Sequence, residues 1–126
     1  MFYLAAAIGA AVSFVVGCLW YTVLFGKKWQ SLMGFTDEQI RTIFTPKRIV
    51  CAVLFEWFSA ACLTGLLFNA SQGTWITAVM AAVFLIFSCA KLGIFDGKKP
   101  ATIFINAGYM LVSVVIMAVS VMLFLE

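Results

Sequence analysis

The sequence predicts an all-α integral membrane protein: four transmembrane helices in a small bundle, with a short amphipathic surface helix between the first and the second. Three observations predict it. Hydrophobic residues fill 65% of the 126 positions and charged residues 10%, against roughly half and a quarter in a soluble domain. Four apolar runs are each long enough to cross a hydrocarbon core about 30 Å thick, which takes about 20 residues per helix. The Lys and Arg residues gather almost entirely in two short stretches beside those runs. A water-soluble surface cannot be made from so few charges, so residues 1–126 are expected to form a single transmembrane domain.

The first run, 2–25, carries no charge, and the first lysines follow it rather than precede it. A secretory signal peptide has the opposite order, so this segment is expected to be retained. Trp20, Tyr21 and Trp29 at its end fit an interfacial aromatic belt. In the loop that follows, Thr36 and Gln39 have the spacing of a capping box. This predicts a surface helix over 37–44, with Ile40, Ile43 and Phe44 on one face and Pro46 as its stop.

The second and third runs, 49–68 and 74–95, are joined by a few residues including Asn69, Ser71 and Gly73, which predicts a tight antiparallel hairpin. The fourth run covers 101–125. None of the runs alternates in the manner of a barrel strand, and four are too few to close a sheet, so helices are the spanning form. Lys27, Lys28, Arg41, Lys47 and Arg48 lie between the first and second runs, and Lys98 and Lys99 between the third and fourth, whereas 70–73 carries no charge. By the positive-inside rule both termini are expected outside the cytoplasm.

Gly9, Ser13 and Gly17 recur at helical spacing on the first segment, as do Ala52, Glu56, Ala60 and Thr64 on the second. Such small-residue stripes let helix backbones approach, and Gly9, Ser13, Gly17 and Ala60 are assigned to packing. The four cysteines, Cys18, Cys51, Cys62 and Cys89, sit within or at the edge of apolar segments and are read as small packing residues.

Glu56 is the acidic residue well inside an apolar segment. A charged side chain at that depth costs about 2.5–3.5 kcal/mol on insertion scales, which makes it a candidate site by default. Two uses are open: a proton or cation site, or a structural ion pair with Lys91, which lies near the same depth if the hairpin packs tightly. Asn106 carries an amide that cannot stay unpaired in hydrocarbon and should bond to Tyr109, Tyr21 or Glu56. The candidate intramembrane polar site is therefore Glu56, Asn106, Tyr109 and Lys91. The chain has no His, no nucleophile–base pair and no Gly-rich phosphate loop, so neither an enzyme, a metal site nor a cofactor is expected. The basic residues flank spans and are read as topology signals and lipid contacts rather than a nucleic-acid surface.

Two stretches resemble a known family: Gly17-Cys18-Leu19-Trp20-Tyr21 running into Leu24-Phe25-Gly26-Lys27-Lys28-Trp29, and Ile105-Asn106-Ala107-Gly108-Tyr109 running into Leu111-Val112-Ser113. With the Met33-Gly34-Phe35-Thr36 turn they are similar, over nearly the whole chain, to an uncharacterised bacterial membrane-protein family, the domain of unknown function seventeen-sixty-one. Members often have Pro near the position of Val23 and His where this chain has Met110. The resemblance implies a small bacterial inner-membrane protein and marks Trp20, Tyr21, Gly26, Lys27, Asn106, Gly108 and Tyr109 as constrained. It supplies no activity.

Two functions compete on the sequence. One is an oligomeric, proton-linked carrier or conduit for a small solute, with Glu56 and Asn106 near its path; four helices enclose little volume alone, so a homo-oligomer is expected. The other is a non-catalytic accessory or assembly subunit of a larger membrane complex. Membrane lipids are partners in either case, through Lys27, Lys28, Lys47 and Arg48.

Overall fold

A computed structural model describes residues 1–125. The chain runs α1 (Phe2–Leu19), a π-helical turn (Trp20–Leu24), α2 (Gly26–Met33), α3 (Asp37–Ile43), α4 (Pro46–Phe68), α5 (Thr74–Phe95) and α6 (Pro100–Phe124), with no strand among the described residues. Four helices are long and apolar enough to cross a membrane: Phe2–Leu24, Pro46–Phe68, Thr74–Phe95 and Pro100–Phe124. At 1.5 Å per residue each reaches roughly 33–38 Å, enough for the hydrocarbon layer with some tilt.

The expected bounds hold for the third run and shift elsewhere. The first span ends at Leu24, in the wide turn where the Phe25 amide donates to the Trp20 carbonyl. The second begins at Pro46 rather than 49. Thr45 caps it by accepting from the Arg48 amide, and Pro46 takes the first helical position, where its missing N–H costs nothing. Pro46 is therefore a helix start, while the surface helix before it ends at Ile43. The Thr36–Gln39 capping box is present, with both reciprocal bonds formed.

Helix α2 is an element beyond the sequence-based expectation. It stops at Gly34, whose φ of 73° places it in the left-handed region that glycine enters freely. The Phe35 amide then donates back to the Gln30 carbonyl at 3.1 Å, a Schellman-type ending.

The long helices are arranged in the order α4, α1, α6, α5: α1 packs against both α4 and α6, and α5 packs against α6. This corrects the expected hairpin. Helices α4 and α5 are joined by a short connection, but they share a core only near it, where Ala60 and Leu67 of α4 meet Ala78 and Ala82 of α5 beside Val114, Met117, Ala118 and Val121 of α6. Toward the other end α4 stands apart, and residues 46–55 are exposed all round. Ala52 falls in that exposed stretch, so the packed stripe of α4 is Ala60 and Thr64 without it.

Small residues fill the interior while Phe55, Phe84, Phe87 and Phe104 point outward. In lipid there is no hydrophobic gain from hiding a phenyl ring, whereas close backbone approach gains dispersion contacts, so small residues belong at the contacts. The same logic corrects the cysteines: Cys18, Cys51 and Cys62 are exposed on helix surfaces and only Cys89 is partly covered, all four as free thiols.

Close approach is most demanding at Gly93, where an added Cβ would lie 2.6 Å from Ile103 Cγ1 across the α5–α6 contact. Ile103 is β-branched and cannot swing clear freely. Gly93→Ala is expected to destabilise the fold by about 1–3 kcal/mol. Reversible unfolding in mixed detergent micelles measures this, with Gly73→Ala, in the connection, as a reference whose φ of 97° also disfavours a side chain but touches no helix contact.

Candidate intramembrane polar site

Helices α1 and α6 run antiparallel with side chains of one hydrogen-bonded to backbone of the other at several levels. At one end Ser120 Oγ donates to the Ala5 carbonyl at 2.7 Å. In the middle the Tyr109 hydroxyl donates to the Ser13 carbonyl at 3.0 Å. At the other end Trp20 Nε1 donates to the Ile105 carbonyl at 3.0 Å, and the Tyr21 hydroxyl donates to Asn106 Oδ1 at 2.7 Å. The carbonyl acceptors belong to helices, and each carbonyl oxygen has a second lone pair, so no backbone bond is given up. The bonds span the seam from Ala5 to Tyr21, making it a polar zipper in an apolar medium.

Glycines let the rings reach those acceptors. A Cβ on Gly17 would lie 2.8 Å from the Tyr109 hydroxyl oxygen, and one on Gly108 would lie 2.9 Å from Trp20 Cζ2. Gly9 does the same for Met117, whose sulfur would be 2.5 Å away. Gly9, Ser13 and Gly17 thus face α6.

The π turn lies where this seam leaves the apolar stretch. Within it two consecutive residues, Trp20 and Tyr21, both bond to α6. A Cβ on Gly26 would sit 3.0 Å from the Tyr21 carbonyl oxygen, so the residue closing the wide turn is held small by backbone. Around it the rings form a chain: Trp20 on Phe25 at 4.9 Å, Tyr21 on Tyr109 at 5.7 Å, Tyr21 on Trp29 at 5.8 Å, and Trp29 on Phe35 at 5.7 Å. Edge-on and tilted rings at these separations attract through their quadrupoles.

Of the sequence-predicted residues, Asn106 and Tyr109 come together with Tyr21, Trp20, Gly26 and Gly108, and the amide finds Tyr21 as its partner. Glu56 lies elsewhere, half-buried in a groove of about 310 Å³ between α1 and α4, beside Ala10, Phe14, Val53 and Trp57. Lys91 does not join it: the lysine is exposed on α5, and no ion pair between the two forms among the described residues. The expected structural ion pair is therefore not formed. Lys27 lies outside the zipper, at a cleft beyond the π turn.

The backbone acceptors Ala5, Ser13 and Ile105 could not be found from side-chain chemistry, because any helical residue offers the same carbonyl. Ser13, Thr64 and Thr102 are fully buried and their hydroxyls have no partner among the described residues.

Residues 4–122 match the model of a family described as Protein of unknown function (DUF1761). No curated protein and no solved structure matches the chain.

The Tyr21–Asn106 bond is testable by a double-mutant cycle. Tyr21→Phe, Asn106→Ala and the double variant are expected to give a coupling of about 0.6–2 kcal/mol in detergent unfolding, the range for polar contacts between membrane helices. A coupling indistinguishable from zero would remove that bond from the forces that hold the seam.

Proposed function

The chain belongs to the DUF1761 family, and on that premise we propose that it is a small proton-linked carrier subunit that works as a homo-oligomer, with Glu56 as its proton-exchanging group. The observation that carries this reading is the placement of Glu56 with no counter-ion among the described residues, in a groove open between α1 and α4 and partway along a helix long enough to span the bilayer. A carboxyl so placed must be neutralised by protonation, by a cation or by a group from another chain. Each of those is an exchange event at bilayer depth. The α1 wall of the groove, with Ala10 and Phe14, belongs to the helix that the Tyr109–Ser13 and Tyr21–Asn106 bonds hold to α6.

Oligomerisation is part of the proposal because four helices enclose little volume alone. The basic loops set the orientation, with Lys27, Lys28, Lys47, Arg48, Lys98 and Lys99 at the cytoplasmic face of a bacterial inner membrane. A second reading, an accessory subunit of a larger membrane complex, is favoured by one observation: residues 46–55 of α4 are exposed all round, a length of helix available to another protein.

Reconstituted vesicles separate the two. Under an imposed pH gradient, solid-supported membrane currents are recorded while a panel of cationic, anionic and neutral solutes is added. The wild-type chain is expected to give solute-dependent currents, and Glu56→Gln to reduce them to the level of empty vesicles while keeping its oligomeric mass. Equal currents from both proteins would sink the proton-linked role. A foreign protein present in stoichiometric amount after gentle extraction, with no current from the purified chain, would establish the accessory role instead.

A further inference from the structure

Beyond the π turn a cleft of about 270 Å³ opens between the end of the first span and the two short helices, with Tyr21, Lys27, Trp29, Gln30, Ile40 and Phe44 among its walls. Its shape is fixed from the sequence upward. The left-handed Gly34 turns the chain between α2 and α3. Gln30 Nε2 then ties the turn, donating to the Phe35 carbonyl at 3.1 Å and to Asp37 Oδ1 at 2.8 Å. The capping box fixes α3 at its start, and the helix brings Ile40 and Phe44 to the wall of the cleft. The sequence-based reading treated this helix as lying on the membrane surface; in the fold it also closes one side of a cavity.

The walls are of two kinds. Tyr21, Trp29, Ile40 and Phe44 are apolar or aromatic, while Lys27 stands exposed as the cationic group. Asp37, whose carboxylate is engaged by Gln30, does not line the cleft. Lys28 is on the same turn of α2, and Lys47 and Arg48 open α4 at this same end of the bundle. Between Thr22 and Gly26 of its wall, Val23 and Leu24 are exposed apolar side chains. An occupant must therefore carry negative charge at one end and apolar chain at the other. The volume is slightly below the roughly 300–1,000 Å³ of sites for whole drug-sized molecules, which suits a headgroup and not an entire lipid. A free inorganic anion would leave the aromatic wall uncovered.

We propose that this cleft binds the phosphate headgroup of an anionic phospholipid, with Lys27 on the phosphate, Trp29 and Phe44 against the glycerol region, and the acyl chains leaving along Val23 and Leu24. A lysine meets phosphate as a point charge, and an indole at this level presents an apolar ring and a polar N–H together. This site stands apart from the Glu56 groove and does not depend on the carrier proposal.

Native mass spectrometry of the full chain, released from micelles containing equal amounts of phosphatidylglycerol and phosphatidylcholine with matched acyl chains, tests it. The wild type is expected to retain phosphatidylglycerol preferentially. Lys27→Gln should lower that preference about fivefold, the weight of one basic contact at an anionic surface, while Lys27→Arg and Lys99→Gln keep it. Both positions are exposed, and an unchanged melting temperature in detergent confirms folding. An undiminished preference in Lys27→Gln, or an equal loss in Lys99→Gln, would overturn the site in favour of diffuse surface charge. Displacement of the lipid by millimolar inorganic phosphate would overturn the lipid assignment in favour of a free-anion site.

Discussion

Everything in this fold depends on how α1 is held to α6. Between helices in lipid there is no water to expel, so association rests on close packing and on polar groups that have nowhere else to bond. The seam supplies both: glycines that admit Met117, Tyr109 and Trp20 to the opposing backbone, and hydrogen bonds onto carbonyls that remain within their helices. Helix α4 then packs on the free side of α1, and α5 on the free side of α6. Among the described residues neither flank has a comparable set of side-chain bonds, which is why the two outer helices can part at one end while the centre remains closed.

That arrangement explains what was and was not legible in the sequence. The four long helices were, because length and continuous apolarity are enough to specify them. The capping box was, because Thr36 and Gln39 bond only locally. The packing faces of α1 were, because small residues at helical spacing have few other uses in lipid. The partner of each helix was not: a short connection between α4 and α5 makes adjacency cheap, but it cannot outweigh a zipper between α1 and α6 in which three of the four acceptors are featureless backbone carbonyls. The ion pair expected between Glu56 and Lys91 depended on that adjacency and failed with it. Helix α2 was hidden because it is short and polar, although Gly34 was there as its terminator.

The constrained motif residues acquire physical roles in the same way. Trp20, Tyr21, Asn106, Gly108 and Tyr109 are halves of contacts between α1 and α6, Gly26 closes the wide turn against a backbone carbonyl, and Lys27 projects past it into the cleft. Two stretches some 85 residues apart in sequence read as one structural unit. Glu56 lies outside that unit, in the groove between α1 and α4.

Because the seam joins the first long helix to the last, it has a consequence for biosynthesis. Its donors and acceptors lie 85 to 115 residues apart, so the interface is built from contacts of high sequence separation. During synthesis α1 enters the bilayer with Trp20 and Tyr21 unmatched, and α4 and α5 follow before their true scaffold exists. Insertion and assembly are thereby separated in time: the chain becomes a native bundle only when α6 arrives, and a ribosome that stops before Asn106 releases spans without the fold that unites them.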